Sequence, residues 1–282
     1  MHESDTLPFL ADEIGLIYLR HGTLVARTAF EPLLPATGQE PSLLHLRAST
    51  AWFLGGREIR QAALAATGLA IGEPALERAS AIAHMRNLFV EDEGARLLVP
   101  LAAPDAASIG SLLAALDEQI ETGDIEPDRI IVELPAGEDG TQLGAAATEL
   151  RMRGFAIGLG DFGPAGSSAA LIEAVAPEIV RLDMQWVRLA DGIDPSHRLL
   201  SSLVALLREG GRTTLLGGIE SAGDHDTALK IGVDLLAGPL LAPPFLAGTD
   251  SPHRPGPQDD PAREASGDNV IPLADPGRHH GR

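Results

Sequence analysis

The stretch Ile130 to Gly163, IIVELPAGEDGTQLGAAATELRMRGFAIGLGDFG, decides the reading of the fold. Ile130-Ile131-Val132-Glu133-Leu134 is a short, nearly continuous apolar run, the pattern of a strand buried on both faces. Residues from about 140 to Met152 read as a helix, and Gly154 is the residue type that ends one. Phe155 to Leu159 is apolar again. Strand, helix and strand in so short a span imply parallel strands joined by a covering helix.

The same rhythm extends in both directions. Upstream, Leu97 to Leu101 is a strand-like run, and Ile109, Leu112, Leu113, Leu116 and Ile120 recur at helical spacing. Downstream, Ile179 to Leu182, Thr213 to Leu216 and Val233 to Leu236 continue the strands. Between them, Asp194-Pro195 offers a capping side chain and a proline at the first helical position. Leu199, Leu200, Leu203, Leu206 and Leu207 form an apolar stripe before Gly210-Gly211, and Ser221 can cap the next helix. Repeats of this kind predict an α/β barrel or a doubly wound sheet.

Residues 1 to 95 are less regular. Ile14 to Leu19 and Leu24 to Phe30 read as two strands joined at His21-Gly22-Thr23, residues from about 57 to 90 read as mostly helical, and Ala36 to Ser49 shows no period. After Gly248 the chain turns rich in proline, glycine and acid, a composition that buries too little apolar surface to offset chain entropy. The expected organisation is one barrel domain over residues 12–247 and a disordered tail over 248–282. Within the tail, Asn269-Val270-Ile271-Pro272-Leu273 could serve as a docking motif, with an inert tail the preferred reading.

Composition limits the function. The 282 residues are 44% hydrophobic, enough for a large core, and carry a formal net charge of -19. That charge argues against a nucleic-acid partner, because no excess of Lys and Arg is present to displace counterions. The absence of cysteine excludes disulfides and thiolate metal sites. Glu3, Asp5, Asp12 and Glu13 interrupt the first 20 residues, unlike a signal peptide, and no run approaches the length of a membrane span. A cytoplasmic location without membrane insertion is the expectation.

Gly158-Leu159-Gly160-Asp161-Phe162-Gly163 fits the G-x-G-x-x-G dinucleotide pattern, with Asp183 about 20 residues on. Pro164 and Gly166 nevertheless stand where the phosphate-binding helix should already run, which argues against that reading. Asp161-Phe162-Gly163 also matches a kinase motif, but neither the kinase lysine strand nor its catalytic loop accompanies it. The histidines are scattered, and His279-His280 falls in the tail.

A further set of motifs runs in series. Gly160-Asp161-Phe162-Gly163-Pro164-Ala165-Gly166-Ser167-Ser168 resembles DDFGTGYSS, and Glu31-Pro32-Leu33-Leu34 resembles the EALLR signature of the EAL-domain cyclic-di-GMP phosphodiesterases. Val99-Pro100-Leu101-Ala102 resembles VNLS, Glu133-Leu134-Pro135-Ala136 resembles ELTE, and Arg181-Leu182-Asp183 resembles KID. Leu216-Gly217-Gly218-Ile219-Glu220 resembles AEGVE, and Gly232 to Pro244 resembles the family's closing GCDYAQGYLFSRP. Together these cover roughly residues 20 to 246, with 36 to 90 unaligned. The resemblance implies an EAL-type variant (β/α)8 barrel with the motifs at the carboxyl ends of its strands, where barrel active sites lie.

Active members of this family hold two divalent metals that activate a water for attack on a phosphodiester. By resemblance, Glu31, Glu133 and Asp161 are surviving ligand positions, with Asp183 and Glu220 as further remnant acids. The asparagine ligand is replaced by Pro100, the first aspartate by Gly160, the second glutamate of ELTE by Ala136, and the lysine of KID by Arg181. Gly217 replaces the catalytic glutamate of AEGVE, Ala237 replaces a glutamine, and Pro35 replaces the arginine that closes EALLR. No catalytic residue and no cofactor are therefore expected. Magnesium or manganese would matter only if activity survived, and at most a residual cation site remains at Glu31, Glu133 and Asp161.

The bland alternative is that these acids accept backbone N–H bonds or pair with a neighbour such as Arg181. The leading functional expectation is an inactive EAL-like regulatory module acting through a protein partner of unknown identity, in cyclic-di-GMP-related, motility or cell-surface regulation. A non-hydrolysing receptor for cyclic-di-GMP or another nucleotide is the alternative, although loss of Pro35's and Ala237's counterparts and the acidic charge argue against cyclic-di-GMP binding. Family members often pair through the helix after the DDFG loop, which leaves a homodimer open. A different phosphate-handling activity at Gly217-Gly218 and Gly238 is a third reading, set against the plain need for glycine in tight turns.

Overall fold

The computed structural model describes residues 9–38, 44–60, 63–64, 73–91, 94–101, 106–137, 140–163, 168–190 and 194–249. The strands are β1 (Phe9–Ala11), β2 (Ile17–His21), β3 (Leu24–Pro35), β4 (His45–Leu54), β5 (Arg57–Ile59), β6 (Arg96–Pro100), β7 (Ile130–Pro135), β8 (Ala156–Phe162), β9 (Ile179–Leu182), β10 (Thr213–Leu216), β11 (Leu235–Leu236) and β12 (Phe245–Leu246). The helices are α1 (Glu73–Arg86), α2 (Ala106–Glu121), α3 (Gly140–Met152), α4 (Ala169–Val175), α5 (Met184–Ala190), α6 (Asp194–Glu209) and α7 (Ala222–Ile231). Residues from 250 on, including the Asn269–Leu273 run and His279-His280, lie outside the described residues, as do residues 164–167.

From β4 through β6, β7, β8, β9, β10 to β11 each strand is parallel to the next. β3 then closes the ring, running antiparallel to both β4 and β11. The result is a closed eight-stranded barrel, which decides between the two architectures that the repeating units allowed. Residues on alternate positions separate into two environments. Leu33, Leu98, Ile131, Ile179, Leu215 and Leu235 pack together inside the ring. Leu97, Val99, Ile130, Val132, Ile157 and Val180 face outward into a larger core shared with Leu112, Leu116, Leu143, Leu150 and Val204 of the helices.

The amino-terminal part corrects the sequence reading at two points. β3 does not stop at Phe30 but runs to Pro35, carrying Glu31 within it. The span without apparent period ends in β4, a barrel strand whose ten residues alternate only in part between buried and half-buried. The described part of residues 57–90 is mostly helical, as the sequence predicts, with the short β5 at its start. Beyond the ring, the amino-terminal half of β3 and the carboxyl half of β4 join β2, β1 and β5 in an antiparallel apron. Leu19, Leu24, Ala26 and Trp52 on one face of this apron pack against Ala79 of α1. A long β3 and β4 are needed because they serve the ring at one end and the apron at the other.

The cap predicted at Ser221 is present. Ser221 accepts from the Asp224 amide while the Asp224 carboxylate accepts from the Ser221 amide, a reciprocal capping box at the start of α7. Among the described residues no helix is long and apolar enough to cross a membrane.

Candidate functional site

Pro100, Glu133, Gly160, Arg181, Gly217 and Ala237 lie at or just beyond the carboxyl ends of β6 to β11, at one mouth of the barrel. Glu31 departs from that expectation: it sits mid-strand in β3, which runs against the others, opposite Arg47. Shear between neighbouring strands still carries it into the same cluster, within electrostatic reach of Arg181 and Glu133.

Strand alternation explains why Glu133 points inward. Its neighbours Val132 and Leu134 belong to the outer core, so the carboxylate between them enters the ring, where it is buried. Arg181 of β9 meets it with two parallel hydrogen bonds, Nη2 to Oε1 at 2.7 Å and Nε to Oε2 at 3.0 Å. Asp161 provides the third partner, its Oδ1 accepting from Arg181 Nη1 at 2.7 Å.

Asp161 reaches this position through a local irregularity. The β8–β9 register shifts between Leu159 and Phe162, and Asp161 adopts φ 51°, a left-handed conformation that aspartate tolerates better than most residues. The bulge turns its side chain out of the strand toward solvent and the Arg181 guanidinium.

Gly160, the preceding residue, is required by close approach rather than by its backbone angle. A Cβ there would lie 2.5 Å from Glu133 Oε1 and 2.9 Å from Arg181 Nη2. The place a side chain would occupy is already filled by the ion pair. Gly217 differs, since an added Cβ would touch only Arg181 Cδ, at 3.7 Å.

Electrostatics follow the same contacts. Burial lowers the Arg181 pKa, but its bonds to Glu133 and then Asp161 outweigh burial and hold the guanidinium above its ordinary value. Burial raises the Glu31 carboxyl, Arg47 and Arg181 oppose that rise, and Glu133 adds to it. Arg47 Nη1 stands 3.8 Å from Glu31 Oε2, and Arg47 Nε is buried without a hydrogen-bond partner. An unmet buried donor costs about 1–3 kcal/mol.

Other candidate residues are engaged elsewhere. Asp183 accepts from the Gln185 amide at 2.8 Å at the start of α5. Glu220 lies 3.3 Å from Arg188, which also pairs with Asp224. Pro100 ends β6, and the Ala136 amide donates to the Gly160 carbonyl at 2.8 Å. Ala237 is buried and exchanges backbone bonds with Leu216 and Ile219. A Cβ on Gly238 would collide with the Ile219 backbone, so glycine there allows two late loops to touch. Glu133 and Asp161 thus pair with Arg181, Glu31 and Glu220 stand beside Arg47 and Arg188, and Asp183 accepts a backbone amide. Among the described residues no group of three or more His, Asp or Glu is arranged to hold a metal ion.

Arg47 was absent from the residues singled out in the sequence. Leu46 and Ala48 around it are fully buried, a two-residue alternation that marks a strand, but nothing local shows that Arg47 would face Glu31.

The fold and the mouth define an EAL-type barrel, and the comparisons agree. The family model of the EAL domain matches residues 60–244, so the chain belongs to the EAL domain family. Glu31 lies outside the matched span. No curated protein matches the chain. Among solved structures, Klebsiella pneumoniae BlrP1 in its calcium and cyclic-di-GMP complex superposes with a TM-score of 0.66 at 19% identity. That match covers 79% of this chain and 57% of that one, so this chain spans little more than half of its relative's length. The FimX EAL domain from Pseudomonas aeruginosa bound to cyclic-di-GMP gives 0.61 at 20% identity, covering 78% and 90%. At such identities the likeness establishes the fold.

Proposed function

We propose that this chain is a catalytically inactive EAL domain that works as a regulatory protein-interaction module in cyclic-di-GMP-related signalling. The observation that carries this reading is the Arg181 guanidinium lodged between Glu133 and Asp161. Two-metal hydrolysis needs several oxygen ligands converging on each cation. Here the two nearest carboxylates are engaged by a fixed cation, and Pro100, Ala136, Gly160 and Gly217 offer no side-chain oxygen. The residues present do not fit a pair of divalent ions, and no hydrolytic step is derived through them.

The test is incubation of the full chain with cyclic-di-GMP in magnesium and in manganese, with chromatography for the linear dinucleotide. No product is expected, and a measurable turnover rate would overturn the reading. A second reading, a receptor that binds without hydrolysis, is favoured by one feature: the mouth keeps two arginines, Arg47 and Arg181, in a fold shared with the FimX domain bound to cyclic-di-GMP. Calorimetric titration with the same nucleotide separates the two, since saturable heat without product makes the chain a receptor.

A further inference from the structure

We infer that Arg47 is the seat of an oxoanion site at the barrel mouth, taking a phosphoryl or carboxylate group of a small ligand. The guanidinium carries five N–H donors in a planar fork suited to such groups. Among the described residues none of them finds a hydrogen-bond partner: Nε is buried without one, and the nearest carboxylate oxygen, on Glu31, is 3.8 Å from Nη1. Its side chain is nonetheless 25% exposed, so a solute can reach it.

The inward-facing Arg181 shows what a committed guanidinium looks like. Arg181 spends three hydrogen bonds on Glu133 and Asp161. Arg27 stands on the same face of the β3–β4 ladder as Arg47, with Arg27 opposite Ala51 and Arg47 opposite Glu31, and pairs with Asp12 at 3.5 Å. By engaging Glu133 and Asp161, Arg181 leaves Glu31 as the carboxylate that competes with an incoming anion for Arg47. A bound oxoanion would supply the hydrogen bonds that Glu31 is too distant to make. This inference goes beyond the partner-docking proposal, and it stands or falls separately from it.

The experiment uses the full chain labelled with 15N-arginine, titrated with inorganic phosphate and separately with acetate while the arginine Nε–H signals are followed. One Nε signal is expected to shift saturably. Arg47→Gln should remove that signal and weaken phosphate binding, followed by calorimetry, about tenfold or more, whereas Arg27→Gln should leave both unchanged within about twofold. Glu31→Gln, which removes the competing charge, should tighten that binding about threefold or more. If Arg47→Gln fails to fold by circular dichroism, Arg47→Lys retains the charge without the fork and should still weaken the calorimetric phosphate affinity. A shift with phosphate alone identifies a phosphoryl ligand, and a shift with acetate as well identifies either oxoanion. No saturable shift with either probe, or one that Arg47 substitution leaves intact, overturns the inference.

Discussion

Gly160 and the Glu133–Arg181 pair depend on one another. The pair is nearly enclosed, with side chains 4% and 14% exposed, so the attraction between them is poorly screened and neither charge can be left alone cheaply. Gly160→Ala drives a methyl into the Glu133 carboxyl group and should destabilise the chain by about 1–3 kcal/mol, read as a lower denaturant midpoint. Glu133→Ala removes the obstructing carboxyl. In the double variant the Gly160 substitution should therefore cost less than it does alone, and strictly additive losses would show that the crowding is relieved elsewhere. At this scale the sequence disclosed which residue types stood at the motif positions. It did not disclose that Arg181 would reach both Glu133 and Asp161, because those contacts cross 48 and 20 residues of chain.

At the scale of elements, α1 is tied to the apron by a buried polar network. His84 of α1 lies 2.9 Å from Thr28 Oγ1 of β3 through Nδ1 and 3.1 Å from Thr50 Oγ1 of β4 through Nε2. Asn87 donates to Thr28 Oγ1 and to the Ile17 carbonyl, and accepts from the Ile17 amide. Burial holds the His84 pKa down to about 4, against an ordinary 6.5. The unfolded chain therefore binds the proton first as pH falls. The stability this neutral histidine contributes is complete above about pH 6.5 and is lost progressively as pH falls toward 4, about 3 kcal/mol in all. Urea midpoints measured from pH 7 to 4 should show that slope, and His84→Gln should remove this part of it. An identical slope in the variant would assign the acid sensitivity to carboxylates alone. None of this network was legible beforehand: residues 57–90 read as mostly helical and 36–49, where β4 begins, shows no period, but nothing local says that His84 would meet Thr28 and Thr50, 56 and 34 residues away.

For the whole molecule, the described fold ends with β12, which pairs with β3 and brings Phe245 edge-on to Phe30 at 6.0 Å. A chain ending at Thr249 should melt within about 2 °C of the full chain, whereas one ending at Ala242 loses Phe245 and about 3–5 kcal/mol with it. Equal melting of all three would place the boundary of the folded unit earlier than β12. The sequence by itself determined the parallel strand–helix units from β6 to β11, the Ser221 cap, and the residue types that stand at Pro100, Ala136, Gly160 and Gly217. Those features are local, fixed by apolar period, capping chemistry and residue type. Only the tertiary structure decided that the units close through an antiparallel β3, that Glu31 faces Arg47, and that Arg181 fills the space Gly160 leaves. Each depends on strand register and shear around a ring, which bring together residues that no local pattern connects.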